Sequence, residues 1–244
     1  MDKQKLGLWL VENGYYSSRS QANYAIKNSK ITVNGRIVTK DGYLVSDTDE
    51  IIVNDEVLKY VSRGGNKLEA ALKAFKIDLN GITVLDIGAS TGGFTDCCLQ
   101  NGARRVYSYD VGTSQLHEKL LNNPRVISKE QINCRYLKKN DFPEEIDFIC
   151  MDVSFISCTK MFEAISDILS QGKKCVILFK PQFEVGNEYL CKKGIVTDQK
   201  AALNRLNDCK EYAEQLQLKL VEYIPSPVKG QDGNQEYLLY FVRN

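Results

Sequence analysis

One histidine, one tryptophan and five prolines in 244 residues leave little material for several common chemistries. With His117 as the lone imidazole, no metal-ligand set can be assembled around it. Eight cysteines all fall between Cys97 and Cys209 without a Cys-x-x-Cys pair, which argues against both a zinc site and the disulfide framework of a small secreted domain. They read as reduced, mostly buried thiols, and no metal is expected. No run approaches the ~18 apolar residues of a membrane span; Cys175 to Phe179 is the length of a core strand. Met1-Asp2-Lys3-Gln4-Lys5 has no apolar segment behind it, so no signal peptide is expected and the cytoplasm is the expected location. There is no excess of charge either: 32 basic against 31 acidic residues give a net +1.

That balance conceals a division. Residues 1 to 40 carry seven basic groups against two acidic ones, whereas residues 41 to 60 carry six acidic groups against Lys59. The first stretch therefore has a local positive field that phosphates could find. Its pattern is Leu6, Leu8, Leu10 and Val11 before an Asn13-Gly14 turn, then a second helix opened by Ser18 as N-cap with Ala22, Ala25 and Ile26 on one face. Ile31 to Val38 reads as two short strands about the Asn34-Gly35 turn. The chain is long enough for such a small domain and a medium one.

In the larger part, the apolar run Ile82 to Ile87 closes at Asp86 and passes through a glycine-rich turn into a helical pattern, Phe94 to Gln100. Such a turn lets a ligand approach the backbone and presents the first N–H groups of a helix. Its glycines stand at 88, 92 and 93, as G-x-x-x-G-G, not as the G-x-G-x-x-G that seats a pyrophosphate, and no P-loop Lys-Ser/Thr follows. The next strand, Arg105 to Tyr109, ends in Asp110, a carboxylate placed to accept from both hydroxyls of a ribose. A nucleoside without pyrophosphate fits, and S-adenosyl-L-methionine is the common one.

Strands are expected near 82–87, 105–109, 125–128, 146–151, 173–179, 217–224 and 236–242 with helical patterns between most of them, which means an α/β domain with a largely parallel sheet. Pockets in such sheets open at the carboxyl ends of strands, where Asp86, Asp110, Asp152 and Lys180 all fall. The fourth strand closes as Asp152-Val153-Ser154-Phe155, without the Asn/Asp-Pro-Pro-aromatic motif that amino-group methyltransferases use. The fifth closes as Lys180-Pro181-Gln182-Phe183.

Residues 1–59 resemble the S4 RNA-binding domain through Ser18-Arg19, Ala22, Ile26 and Val33-Asn34-Gly35. That resemblance nominates Arg19, Lys27, Asn28 and Lys30 as RNA contacts. Adding Ser62-Arg63-Gly64-Gly65 with Lys67, Asp86 to Phe94, Asp152 to Phe155, Lys180 to Glu184 and Gly233-Asn234-Gln235-Glu236, the whole chain resembles the TlyA family of S4-linked, FtsJ-like rRNA 2'-O-methyltransferases. The implied architecture is α/β: a Rossmann-like class I methyltransferase domain over residues 60–244, preceded by a small α+β S4 domain, with a linker at 58–61. The family's Lys-Asp-Lys-Glu tetrad maps onto Lys67, Asp152, Lys180 and Glu236. Its cofactor contacts map onto Asp86, Gly88, Ala89, Ser90, Thr91, Gly92, Gly93 and Asp110, with Asn133 beside the adenine.

A ribose hydroxyl is a poor nucleophile, so its proton must be removed or shared as it attacks the methyl group. Lys180 is the candidate central group, as neutral base or as charged orienter, since burial and a second ammonium lower a lysine's pKa. Lys67 supplies the second charge, while Asp152 and Glu236 hold the lysines. Reaching the hydroxyl in folded RNA requires extruding a nucleotide, with Arg63 and a flap from Gly186 to Gly194 as phosphate grips. The expected partner is ribosomal RNA; the resemblance favours a cytidine of 23S rRNA in the large subunit, because the family's shorter forms look restricted to that subunit and this chain ends soon after its last strand; a monomer and no membrane are expected. Three alternatives stay open: an assembly factor that binds cofactor without chemistry, a pseudouridine synthase, whose Asp motif is missing, and a membrane-active haemolysin, a label this family also carries.

Overall fold

A computed structural model of the protein describes residues 3–16, 18–46, 48–53, 59–230 and 233–244. Asp2, Asp47, Asp55 and Glu56 of the charge pattern, and Leu58 at the start of the expected linker, lie outside the described residues. The chain divides into two compact units, residues 1–58 and 59–244.

In the first unit, strand β1 (Gln4–Lys5) leads into helix α1 (Leu6–Glu12), followed by α2 (Arg19–Lys27), β2 (Ile31–Val33), β3 (Arg36–Val38), β4 (Leu44–Val45) and β5 (Ile51–Val53). The Gln21 N–H donates to Ser18 Oγ at 3.3 Å, so Ser18 caps α2 as its residue type suggests. Asn34 and Gly35 both have positive φ, 49° and 75°, the conformation of a tight two-residue hairpin turn, and set β2 antiparallel to β3 with Ile31 opposite Val38. β2 also pairs with β5, and β1 with β4. Leu6, Leu10, Ala22, Ala25, Ile26, Ile31 and Val33 close the core.

The second unit is built on seven strands: β6 (Thr83–Ile87), β7 (Arg105–Tyr109), β8 (Val126–Lys129), β9 (Phe148–Met151), β10 (Lys174–Phe179), β11 (Leu218–Pro225) and β12 (Tyr237–Arg243). Their order is β11-β12-β10-β9-β6-β7-β8. β8, β7, β6, β9 and β10 are parallel, and β12 runs antiparallel between β10 and β11. β6, β9 and most of β10 are buried on both faces, as a sheet covered on two sides requires.

Period-two alternation assigns the faces. Leu85 and Ile87 join the core formed with α6 (Phe162–Ile168) and α7 (Gln199–Gln215), while Val84 joins the core with α3 (Gly64–Ala74) and α4 (Gly93–Gln100). The short α5 (Glu118–Leu121) lies between β7 and β8 in the chain. On α3, Leu68, Ala71 and Leu72 repeat at helical spacing and are buried, which fixes the turn carrying Lys67. Lys59 to Val61, the described part of the expected linker, docks on α4: the Val61 N–H donates to Asp96 at 2.9 Å and Gln100 donates to the Lys59 carbonyl at 2.8 Å. The strand order reverses between β6 and β9, and a crevice at the carboxyl ends of such strands is where ligands bind in open α/β sheets.

Candidate active site

The crevice is a cavity of about 380 Å3 whose walls come from the first turn of α3, the loop after β6, the loops after β9 and β10, and the segment leading into β12. Two glycines make it possible. Gly88 has φ of 80°, and a Cβ there would stand 2.5 Å from the Asp152 carbonyl oxygen, so the β6 and β9 loops abut only without a side chain. At Gly93 a Cβ would meet Ser62 Oγ at 2.2 Å and the Gly65 nitrogen at 2.9 Å. That close approach sets the first turns of α3 and α4 side by side and delivers Lys67 beside the glycine loop.

Four charged side chains then meet as two pairs. Lys67 Nζ donates to Glu236 Oε2 at 2.6 Å, and Lys180 Nζ lies 2.5 Å from Asp152 Oδ1 while donating to Ser154 Oγ at 2.8 Å. Both lysines are 9% exposed and Glu236 is 2% exposed. Lysine and glutamate are almost never this buried unless paired, and each pair answers the charge of the other member. All four line the one cavity with Gly88, Ser90, Thr91 and Gly93.

The remaining expected cofactor residues divide. Asp110 stands outside that cavity, beside a narrow cleft shared with Ala89 and Ser90. Its Oδ2 accepts the Ser90 N–H at 2.8 Å and its Oδ1 the Gly112 N–H at 2.7 Å, which leaves one lone-pair site on each oxygen for two vicinal hydroxyls. Val111, next in the chain, is 72% exposed and offers an apolar face at the same strand end. Together with the first turn of α4 on the cavity wall, this set fits S-adenosyl-L-methionine: a diol acceptor, an apolar surface and helix N-terminal N–H groups.

Asp86 does not line the cavity. It faces inward beneath the loop, fully buried, accepting from Thr95 Oγ1 at 2.6 Å. Burial pushes its carboxyl up to about 7, against the hydrogen bond from Thr95. The strand-end position was legible, but the side it faces is set by strand parity, so Asp86 supports the loop from below. Asn133 is also not on the cavity wall. It accepts the Arg135 N–H at 3.3 Å to cap a short 3-10 helix, Cys134–Tyr136, while its neighbour Ile132 donates to the Asp110 carbonyl at 2.9 Å.

Arg63 lines the cavity. In the first unit, Arg19 and Lys27 are exposed and Lys30 is half-buried; Lys27 lies 3.6 Å from Asp41. Asn28 is the C-cap of α2, its side chain donating to the Tyr24 carbonyl at 2.7 Å. The expected flap from Gly186 to Gly194 is a tied hairpin: Leu190 bridges Val196, and Asn234 joins it by accepting the Val196 N–H and donating to the Gly194 carbonyl, both at 2.9 Å.

Three further features show their geometry only in the structure. Phe155 has φ of 64° and is 91% exposed, an arrangement worth about 1–3 kcal/mol of backbone strain for a bulky residue. Its ring lies 5.2 Å from that of Phe183, over which Lys180 Nζ stands at 6.0 Å. Gln182 Oε1 is buried beside the cavity without a hydrogen-bond partner among the described residues, an unsatisfied acceptor of the kind that a bound group answers. Glu184 accepts from Ser157 Oγ at 2.6 Å and from the Cys158 N–H at 2.7 Å; burial pushes its carboxyl up against these two hydrogen bonds. The motifs containing Phe155 and Glu184 are visible as residues, but neither a left-handed backbone nor a cross-loop bond can be read from composition.

Of the eight cysteines seven are buried and none is in a disulfide. Burial pushes the Cys134 thiol up to about 12, which makes it inert. Among the described residues no cluster of metal-ligating side chains occurs, and no helix is long and apolar enough to cross a membrane.

Comparison with known proteins identifies two families along the chain. The FtsJ-like methyltransferase family matches residues 60–243, and the S4 domain matches residues 5–51. The 16S/23S rRNA (cytidine-2'-O)-methyltransferase TlyA of Mycobacterium tuberculosis is 38% identical over 232 residues, 95% of this chain and 87% of its own. The 23S rRNA (cytidine-2'-O)-methyltransferase TlyA of Campylobacter jejuni is 33% identical over 247 residues, 93% of this chain and 95% of its own. A solved structure of a hemolysin-type protein from Streptococcus thermophilus superposes on 100% of this chain and 90% of its own with a TM-score of 0.80 at 38% identity. The chain belongs to the TlyA family, in which an S4 domain precedes an FtsJ-like, S-adenosylmethionine-dependent methyltransferase domain.

Proposed function

We propose that this protein transfers a methyl group to the 2'-hydroxyl of a cytidine in ribosomal RNA, with 23S rRNA of the large subunit as its substrate. The observation that carries the reading is the pair of buried lysine–carboxylate contacts, Lys67–Glu236 and Lys180–Asp152, on the walls of one cavity beside the glycine loop. A binding module needs no such set, because two buried ion pairs offer little net stability. The choice of 23S rests on what the two relatives have in common: both names include it.

When bound, S-adenosyl-L-methionine supplies an electrophilic methyl group on a sulfonium. The Gly88–Gly93 loop and Asp110 would hold it, and Asp86 keeps that loop in place through Thr95. Lys180 contacts the ribose hydroxyl, with Ser154 and Asp152 fixing the direction of its N–H groups. The Lys180–Asp152 pair would take up the hydroxyl proton as the ribose oxygen accepts the methyl group. Lys67, oriented by Glu236, holds the second positive charge against the ribose-phosphate. Holding oxygen and methyl in line supplies most of the acceleration.

Phe155 offers an exposed ring at the cavity mouth, and an extruded base can stack there because every base has a π face. Arg63 and the hairpin lysines, Lys192 and Lys193, grip the neighbouring phosphates. Residues 1–59, with Arg19, Lys27 and Lys30, add sequence-independent affinity, and residues 60–244 carry the chemistry. The enzyme acts as a cytoplasmic monomer.

The test is incubation with methyl-labelled cofactor and unmodified ribosomal subunits. Label is expected in large-subunit RNA. Label in small-subunit RNA alone overturns the 23S assignment, and no label in either subunit, with cofactor binding demonstrated, overturns the enzymatic reading.

A further inference from the structure

The loop after β9 and the turn after β10 are fastened at both ends. At the near end Lys180 reaches Asp152 and Ser154. At the far end Glu184 takes hydrogen bonds from Ser157 Oγ, 2.6 Å, and from the Cys158 N–H, 2.7 Å, one on each carboxylate oxygen. Between these two fastenings lies Phe155, in the left-handed region and almost fully exposed. Its ring lies near that of Phe183, which sits on the same turn as Lys180 and Glu184.

Each anchor is tied by its own hydrogen bonds. Phe183 donates to the Lys180 carbonyl at 2.9 Å, and Glu184 and Val185 both donate to the Pro181 carbonyl at 3.0 Å, so Lys180 and Glu184 move as one turn. Ser157 caps the short helix Cys158–Met161 by accepting the Thr159 N–H at 3.3 Å, and Cys158 and Met161 are buried in the main core. Asp152 to Ile156 has no regular structure of its own. A strained residue persists only where its surroundings over-determine it, and here Glu184 is the polar tie at the far end of the loop.

We propose that Glu184 is a positioning residue for methyl transfer: its carboxylate locks the 152–158 loop to the 180–184 turn, and so sets both the Lys180–Asp152 contact and the outward pose of Phe155. The inference rests on the reaction proposed above for its kinetic consequence, but not for its structural one. A carboxylate is suited to the place because it accepts twice, once from a hydroxyl and once from a backbone N–H. An amide can still serve, because the Ser157 hydroxyl can turn to Thr159 Oγ1, 2.7 Å away, and accept from the amide nitrogen.

Two readouts test this. The first is hydrogen–deuterium exchange of the full-length protein, which needs no substrate. Glu184→Ala should speed exchange in residues 153–158 and leave β6 and β9 at the wild-type rate; unchanged exchange in 153–158 overturns the clamp. The second is kinetic. Glu184→Ala should lower kcat by about 10²-fold, the scale of a small misplacement of reacting groups, with the KM for cofactor unchanged, and Glu184→Gln should recover most of the loss. Adding Phe155→Ala to Glu184→Ala should produce no loss beyond the worse single variant, since both act on one pose. Wild-type kcat in Glu184→Ala, or losses that multiply in the double variant, overturn the proposal. If Glu184→Ala does not fold, the Gln variant decides: it must be folded and within about tenfold of wild type, a margin of about 1.4 kcal/mol, and a lower value overturns the proposal. A wild-type protein that methylates no RNA counts against the reaction and leaves the exchange result to judge the clamp.

Discussion

Glu236→Gln separates what the Lys67–Glu236 pair does for the fold from what it does for the site. The pair is 2.6 Å long, Glu236 is 2% exposed and Lys67 is 9% exposed, so solvent does little to screen it. Removing one partner of a buried pair costs about 3–5 kcal/mol, because the other charge is left uncompensated. Lys67 lines the cavity, where its ammonium can reach water, which places the expected loss at the low end, about 3 kcal/mol. For a domain of this size that is a fall of about 6–12 °C in Tm. Replacing both partners, as Lys67→Met with Glu236→Leu, removes the stranded charge and should return stability to within about 1 kcal/mol of wild type. Methyl transfer should fail in both proteins. Urea unfolding and a methylation assay on the same preparations give the two readouts. A Glu236→Gln protein within about 1 kcal/mol of wild type, or a double variant less stable than the single, refutes the reasoning that the pair is a mutually compensated buried contact.

Four other outcomes follow from the same geometry. Lys180→Ala should lower kcat by about 10²–10⁴-fold, the range of a missing proton-transfer group, with cofactor affinity by calorimetry unchanged; a KM effect alone would contradict its role. Gly88→Ala should abolish cofactor binding, since its methyl would sit 2.5 Å from the Asp152 carbonyl in a left-handed backbone, and calorimetry reads this directly. Asp86 has a folded-state pKa of about 7, above its ordinary 3.8, so the folded state holds the extra proton and wild-type stability falls as pH rises between those values. Asp86→Asn cannot ionise, so its stability relative to wild type should increase over that window and level off above it; a pH-independent difference in urea midpoints would count against a buried, proton-holding carboxyl. Finally, Arg19→Ala with Lys27→Ala should flatten the plot of log affinity against log salt by about 0.7–0.9 for each phosphate that is no longer neutralised, measured by RNA filter binding, and an unchanged slope would remove these residues from the interface.

Much of this architecture was legible because its signals are local. The Ile82–Ile87 run, the glycine spacing and Asp110 identify strand, turn and strand end from neighbouring residues alone. Asn34-Gly35 fixes its hairpin by the φ it permits. What stayed hidden depends on partners far along the chain. The bond from Ser157 to Glu184 joins residues 27 positions apart that only the completed sheet brings together. The Asn28 side chain, exposed at the end of α2, donates to the Tyr24 carbonyl, a local bond that residue type alone does not reveal. Phe155 is the plainest case: its place in the strand-end motif is visible, and only the left-handed turn explains why it is exposed.

The central claim is that this site methylates a ribose oxygen through Lys180, and mass-spectrometric mapping of ribosomal RNA after incubation with the protein and S-adenosyl-L-methionine tests it most directly. The account predicts one 2'-O-methylcytidine in 23S rRNA with the wild-type protein and none with Lys180→Ala. A methyl group on a base, or a ribose methyl that persists undiminished in Lys180→Ala, would contradict it.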